Sequence, residues 1–314
     1  MSSINTNVSA MTALQTLSMT NKALTETQNR IATGYRVNDA SDNAAYWSIA
    51  TTMRSDNKAL GAVQDALGLG AATVDTAYTG VKAAIEVVDE IKAKLVTARG
   101  EGVDRAKIQT EIDQLQDQLT GIASSAVISG ADNWLSVDSS VAGYSDTKSV
   151  VSSFTRTGGA VTIQTIDIDT AGMNLFDSGA GATEVGIVDG LRDATGAIAA
   201  AGTFSIATLD ISALTNSAAD LTTLESYIVG ADSALSEMTD AATDLGSTKS
   251  RIGLQQDFVK GLMDAIDRGV GQLVDADMNE ESVKLQALQV KQQLGIQALS
   301  IANSNSQSIL SLFR

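Results

Sequence analysis

The stretch from Tyr46 to Ala98 constrains the fold of this chain most. Taken in steps of seven, Tyr46, Met53, Leu60, Leu67, Val74, Val81, Val88 and Leu95 are all apolar. A second row lies three residues further on: Ile49, Asp56, Val63, Gly70, Ala77, Ala84, Ile91 and Ala98, interrupted only by Asp56 and Gly70. Two rows at alternating three- and four-residue spacing are the seam of a coiled coil. An unbroken helix of this length is roughly 80 Å long at 1.5 Å per residue, more than a compact domain needs. The sequence therefore predicts assembly along an axis. A second series, Leu224, Ala231, Met238, Leu245, Ile252, Val259, Ile266 and Leu273, mirrors the first and is its natural partner.

Composition supports long helices and excludes several chemistries. Aromatic residues make up only 4% of the 314 positions, so the core must be aliphatic and Ala-rich. Pro is absent, which favours uninterrupted helix and fast refolding, because Pro breaks helices and isomerises slowly. His and Cys are absent too. Their loss removes His-based triads, thiol nucleophiles, His/Cys zinc sites and disulfides. Enzyme function is not expected, nor is a cofactor. The formal net charge of −16 repels nucleic acid and anionic membranes, so neither is an expected partner. Residues 1–20 carry no basic region and no continuous apolar run, so no cleaved secretory signal is expected.

Residues 4–33 read as an amphipathic helix, with Ala10, Leu17, Leu24 and Ile31 at sevens and Ile4, Val8, Met11 and Leu14 widening the stripe. Gly34 is its stop, and Asn38–Asp42 supplies turn and cap residues for the central helix. After Gly100-Glu101-Gly102, Asp104 is placed to cap a third helix. Ile108, Ile112, Leu115, Leu119, Ile122 and Ala126 give that helix its stripe, predicted to fold back antiparallel and to end at Gly130. From 136 to 215 the helical period is lost. Ser149–Arg156 and Ala160–Asp169, around Thr157-Gly158-Gly159, read as a hairpin; Thr203–Ile211 reads as a further strand, and Gly179-Ala180-Gly181 as loop. Helix returns near Asn216 and, after an acidic break at Asp275–Glu281, a last helix carries Val283, Leu288, Leu294, Leu299 and Ile301. The fold class is mainly α: a long antiparallel, coiled-coil-like bundle formed by both chain ends, with a small β-rich central insertion. The expected domains are 1–42 with 275–314, 43–135 with 216–274, and a solvent-facing segment 136–215.

Motifs that suggest chemistry have plainer readings. Gly68-Leu69-Gly70-Ala71-Ala72-Thr73 lacks the last glycine of a dinucleotide fingerprint and lies in a helix, where small residues serve close contact. Asp275-Ala276-Asp277-Met278-Asn279 opens like a calcium loop, but Glu280 holds the glycine position and Gln286 the bidentate one. A helix cap is the better reading. Lys249 and Arg251 read as exposed helix residues, and Trp47 and Trp134 as core or subunit packing.

The two ends carry a family resemblance. Ile4-Asn5-Thr6-Asn7, then Asn29-Arg30-Ile31-Ala32-Thr33-Gly34-Tyr35-Arg36-Val37-Asn38 through Ala45, resemble the opening of bacterial flagellins of alphaproteobacterial type. Ser250-Arg251-Ile252, Asp275-Ala276-Asp277 with Glu280 or Glu281, and Ala298–Asn303 through Leu310–Arg314 resemble their C-terminal signature. The likeness covers about 1–135 and 216–314. It departs where the family has a proline after the tail Ala-Asn, here near Ser306, and where enterobacterial flagellins carry Gln-Arg-x-Arg-Glu-Leu for Toll-like receptor 5. Asp89-Glu90-Ile91-Lys92 aligns there, with acid, Glu90, in place of the key arginine; weak or absent recognition is expected.

The resemblance implies a filament subunit exported unfolded through a flagellar type III channel. Its implied partners are itself, an export chaperone and export gate, the filament cap and hook-junction proteins. It further implies self-assembly through Leu14, Leu17, Leu24, Ile31, Val283, Leu288, Leu294, Leu299 and Ile301, with a bundle seam of Met53, Leu60, Leu67, Leu245, Ile252, Val259 and Ile266. Residues 1–42 and 275–314 are expected to order on polymerisation. The alternative within the family is the hook–filament junction protein. Outside it stand a secreted hydrolase, for which no nucleophile–base pair can be assembled, and a cytoplasmic coiled-coil scaffold.

Overall fold

The computed structural model describes residues 7–128, 132–157, 160–179, 186–199 and 202–311, with side chains to Ser304. Gly130, Gly158, Gly159, Ala180, Gly181, Ile4–Thr6 and the last three residues lie outside them. Among these residues the helices are α1 (Val8–Thr33), α2 (Ala44–Ala98), α3 (Arg105–Ser125), α4 (Ala218–Val274) and α5 (Met278–Ser311). The strands are β1 (Ser136–Val137), β2 (Thr147–Thr157), β3 (Ala160–Asp169) and β4 (Phe176–Asp177). The chain divides into two compact units, residues 1–58 with 262–314 and residues 59–261.

Within the first unit, the polar residues of the loops start and stop the helices. The Asn7 side chain accepts from the Ala10 N–H at 3.0 Å, and Gly34 ends α1 in the left-handed conformation at φ 76° that Gly tolerates best. Asn43 accepts from the Ala45 and Tyr46 N–H groups and caps α2. The calcium-like run is a helix cap: Asp277 Oδ1 accepts from the Asn279 N–H at 2.8 Å and the Glu280 N–H at 3.3 Å. Arg36 and Val37 donate to the Val274 carbonyl, and Ala276 to that of Gly34. These bonds clamp the turn after α1 to the end of α4 and the turn that leads into α5. Beside the clamp, Val37, Ala50, Val270 and Val274 form a small core with Met53, Ile266 and Leu273.

In the second unit the heptad rows of α2 are buried from Leu60 to Ala98, and those of α4 from Leu224 to Val259. The two helices run antiparallel, pinned by the ion pairs Asp75–Lys249, Lys92–Asp232 and Arg99–Glu225. Each step forward along α2 from one pair to the next is matched by an equal step back along α4. Helix α3 returns antiparallel to α2, with Lys94 bridging Glu111 at 2.7 Å. Asp104 sits at the N-cap of α3, but its side chain makes no capping bond and instead lies 3.4 Å from Lys107.

Strands β2 and β3 form the antiparallel hairpin, bulged between Val151 and Ser153. A Cβ on Gly70 of α2 would lie 2.4 Å from Val150 Cγ1, so this mid-helix glycine makes room for the hairpin. Strands β1 and β4 pair in parallel. The expected strand over Thr203–Ile211 does not form. That segment is irregular, with one bridge from Phe204 to Arg192. Its polar backbone is satisfied by α3 side chains rather than by a sheet: Gln109 donates to the Leu209 carbonyl and accepts from the Ile211 N–H, and Gln116 donates to the Ile206 carbonyl. Phe204, Ile206, Leu209 and Ile211 are thereby free to bury their side chains. Arg192, wholly buried, pairs with Glu237 of α4 at 2.7 Å and donates to the Gly196 and Ile187 carbonyls.

Candidate self-assembly surface on the terminal helix pair

Helices α1 and α5 lie antiparallel. Asn7 donates to the Ala302 carbonyl at 2.9 Å, Gln292 to Asn21 at 2.7 Å, and Arg30 to Glu281 at 3.1 Å. The inward positions follow a heptad on each helix. On α1 they are Ala10, Ala13, Leu17, Thr20, Leu24, Thr27 and Ile31; on α5 they are Glu281, Leu285, Leu288, Gln292, Gly295, Leu299 and Ala302. Only Leu17, Leu24, Ile31, Leu285, Leu288 and Leu299 among these are large and apolar. The rest are small or polar, so the pair buries little apolar surface for its length.

The outward faces are richer. Val8, Met11, Leu14, Met19, Val283, Val290, Leu294, Ile296 and Ile301 are each more than half exposed. The pair thus shows more large apolar side chains to its surroundings than it encloses, a pattern that marks an interaction surface rather than a finished core. The nine sequence-predicted residues fall into two groups. Leu17, Leu24, Ile31, Leu288 and Leu299 turn toward the seam, whereas Leu14, Val283, Leu294 and Ile301 face outward. Met19, Val290 and Ile296 were missed, because a search at steps of seven follows the seam and the outward face is out of phase with it. The Arg30–Glu281 pair was missed as well; Glu281 is 6% exposed, held in place by a partner 251 positions away.

Charge is divided unevenly. Residues 1–58 and 262–314 hold nine Lys/Arg and ten Asp/Glu, while residues 59–261 hold twelve and twenty-seven. The unit bearing the apolar faces is therefore almost neutral. Copies of it can approach without the repulsion that an acidic surface would impose.

Of the bundle-seam residues, Leu60, Leu67, Leu245, Ile252 and Val259 are buried in the second unit, and Met53 and Ile266 are half-buried in the first. Glu90 is exposed on α2, 3.5 Å from Lys94. Lys249 is bound to Asp75, Arg251 is exposed, Trp134 is buried and Trp47 is exposed. No group of three or more Asp or Glu among the described residues is arranged to hold a metal ion, and no described helix is long and apolar enough to cross a membrane.

Comparison with known proteins agrees with both ends of this plan. Residues 4–137 match the bacterial flagellin N-terminal helical region, and residues 228–313 the bacterial flagellin C-terminal helical region. The chain is 50% identical to flagellin C and 47% identical to flagellin A of Rhizobium meliloti strain 1021, with all of each chain covered. It is 48% identical to a flagellin of Brucella melitensis biotype 1, again over both full lengths. With paired terminal helices, a long-helix seam and full-length relatives in agreement, the chain belongs to the bacterial flagellin family, the structural subunits of the extracellular flagellar filament.

Proposed function

We propose that the outward apolar faces of α1 and α5 are the surface through which copies of this flagellin polymerise. The observation that carries this reading is the inversion of the terminal pair, with nine large apolar side chains more than half exposed around a seam in which six of the fourteen inward positions are large and apolar. Residues 1–42 with 275–314 then form the filament core, 43–135 with 216–274 the long-helix layer around it, and 136–215 the solvent-facing part. The acidic balance of 59–261 suits a layer in contact with water. The role is structural, without catalysis.

Passage through a narrow export channel requires an unfolded chain, and this sequence suits that route. It has no Cys to cross-link and no Pro to isomerise on refolding. An export chaperone, the export gate, the filament cap and the hook-junction proteins are its remaining partners. Glu90 reverses the charge that an arginine-reading receptor requires, so Toll-like receptor 5 does not respond to this chain as to an enterobacterial flagellin. A receptor reporter giving an equal response would refute that point.

Polymerisation seeded with short filaments and watched by electron microscopy tests the assembly reading. The full chain extends the seeds, and a chain lacking 275–314 does not. Extension by both would remove the terminal pair from the interface.

A further inference from the structure

We propose that Met11 and Met19 are oxidation sites through which two-electron oxidants, hydrogen peroxide in the simplest case, block polymerisation of this chain. The inference rests on the assembly surface proposed above and adds a chemistry to it.

The methionines are distributed unevenly. Met173 and Met238 are buried in the second unit, and Met53 and Met263 are half-buried. Met278, at the start of α5, is 44% exposed, and Met11 and Met19 are the most open of the described methionines at 64% and 58%, on the outward side of α1 among the side chains of the proposed assembly surface. The chain has no Cys, so no thiol competes for the oxidant, and exposed thioethers become its foremost targets.

The reaction balances without a further reagent. A lone pair on the methionine Sδ attacks one peroxide oxygen; an S–O bond forms, the O–O bond breaks, and the departing oxygen leaves as water after proton transfer. Sulfur loses two electrons and peroxide gains them, giving sulfoxide and water. The product is a strong hydrogen-bond acceptor on a face that must lose water when copies associate. In the free subunit the S=O group is hydrated and harmless. In a polymer it must give up that hydration on a face built largely from apolar side chains, a penalty that falls on assembly alone. Because Met173 and Met238 are enclosed, the fold of the second unit escapes. A filament, once formed, shields its own sulfurs, so the subunit is vulnerable only before it is incorporated.

The test treats free subunits and preassembled filaments with peroxide, maps added oxygen by peptide mass spectrometry, and measures the critical concentration for seeded growth. Free subunits gain one oxygen at each of Met11 and Met19, filaments do not, and the critical concentration of treated subunits rises at least about ten-fold. Met11→Leu with Met19→Leu keeps the apolar face and loses the sulfur, so its growth is unchanged by the same treatment. Oxidised subunits that polymerise as before, or a double variant as sensitive as the parent, would overturn the proposal while leaving the assembly surface standing. Equal oxidation of Met11 and Met19 in filaments and free subunits would instead overturn the assembly surface itself.

Discussion

Two leucines of α5 separate the seam from the outward face. Leu294 is 57% exposed and Leu288 only 9%, although they lie less than two turns apart. Full burial of a leucine is worth about 1.5–3 kcal/mol, so covering the exposed part of Leu294 contributes about 1–2 kcal/mol per subunit. Leu294→Ala should forfeit most of that on assembly and little in the free subunit. At 1.4 kcal/mol per decade this is roughly a five- to thirty-fold rise in critical concentration. Leu288→Ala should act the other way round. It opens a gap in the seam, costs about 2–3 kcal/mol of folding stability where α1 meets α5, and loosens that pair before any partner arrives. Sedimentation of seeded filaments against free subunit gives the critical concentration, and amide hydrogen exchange over 8–33 and 278–304 reports on the pair. The reasoning is refuted if Leu294→Ala leaves the critical concentration within two-fold of the parent, or if it raises exchange across α1 as much as Leu288→Ala does.

Other variants probe the second unit. Gly70→Ala improves helix propensity by about 1 kcal/mol but drives a methyl into Val150, so it should destabilise in urea by about 1–2 kcal/mol net; combined with Val150→Ala the clash goes, and a non-additive recovery is expected. Arg192→Met leaves Glu237 and the Gly196 and Ile187 carbonyls without their donor, and should cost about 3–5 kcal/mol, read as loss of protection across 186–211 in hydrogen exchange. Asp189 is held above the ordinary carboxylate range, chiefly by desolvation and to a lesser extent by the charge of Asp177, and its Oδ1 has no hydrogen-bond partner among the described residues. The folded chain therefore holds this proton more tightly than the unfolded one, and the group's unfavourable contribution grows as pH rises through its folded-state pKa. Asp189→Asn should be the more stable protein at pH 7, with an advantage that shrinks toward about pH 4; an advantage that grows on acidification would contradict the sign.

The long helices were legible because their periodicity is local. Leu60 to Leu95 and Leu224 to Val259 mark one face each, and no other part of the chain is needed to read them. The hairpin was legible for the same reason, by alternation around a glycine turn. The irregular core between them was not. Arg192 carries no sign in sequence that it will be enclosed, since its partner Glu237 lies 45 positions away. Thr203–Ile211 has the composition of a strand, and only the amides of Gln109 and Gln116, on a helix about 90–100 positions earlier, decide that it is not one. The proposed assembly surface is only half legible in sequence. Heptad spacing locates the residues that hold α1 and α5 together, whereas the outward residues are defined by what no neighbour covers.

The split of charge between the two units has a consequence for the polymer. If copies polymerise through the near-neutral unit, as proposed, almost none of the acid is consumed, and each added subunit brings about fifteen uncompensated negative charges from residues 59–261 to the growing fibre. The product is a linear polyelectrolyte wrapped in a counterion cloud about 8–10 Å thick at physiological salt.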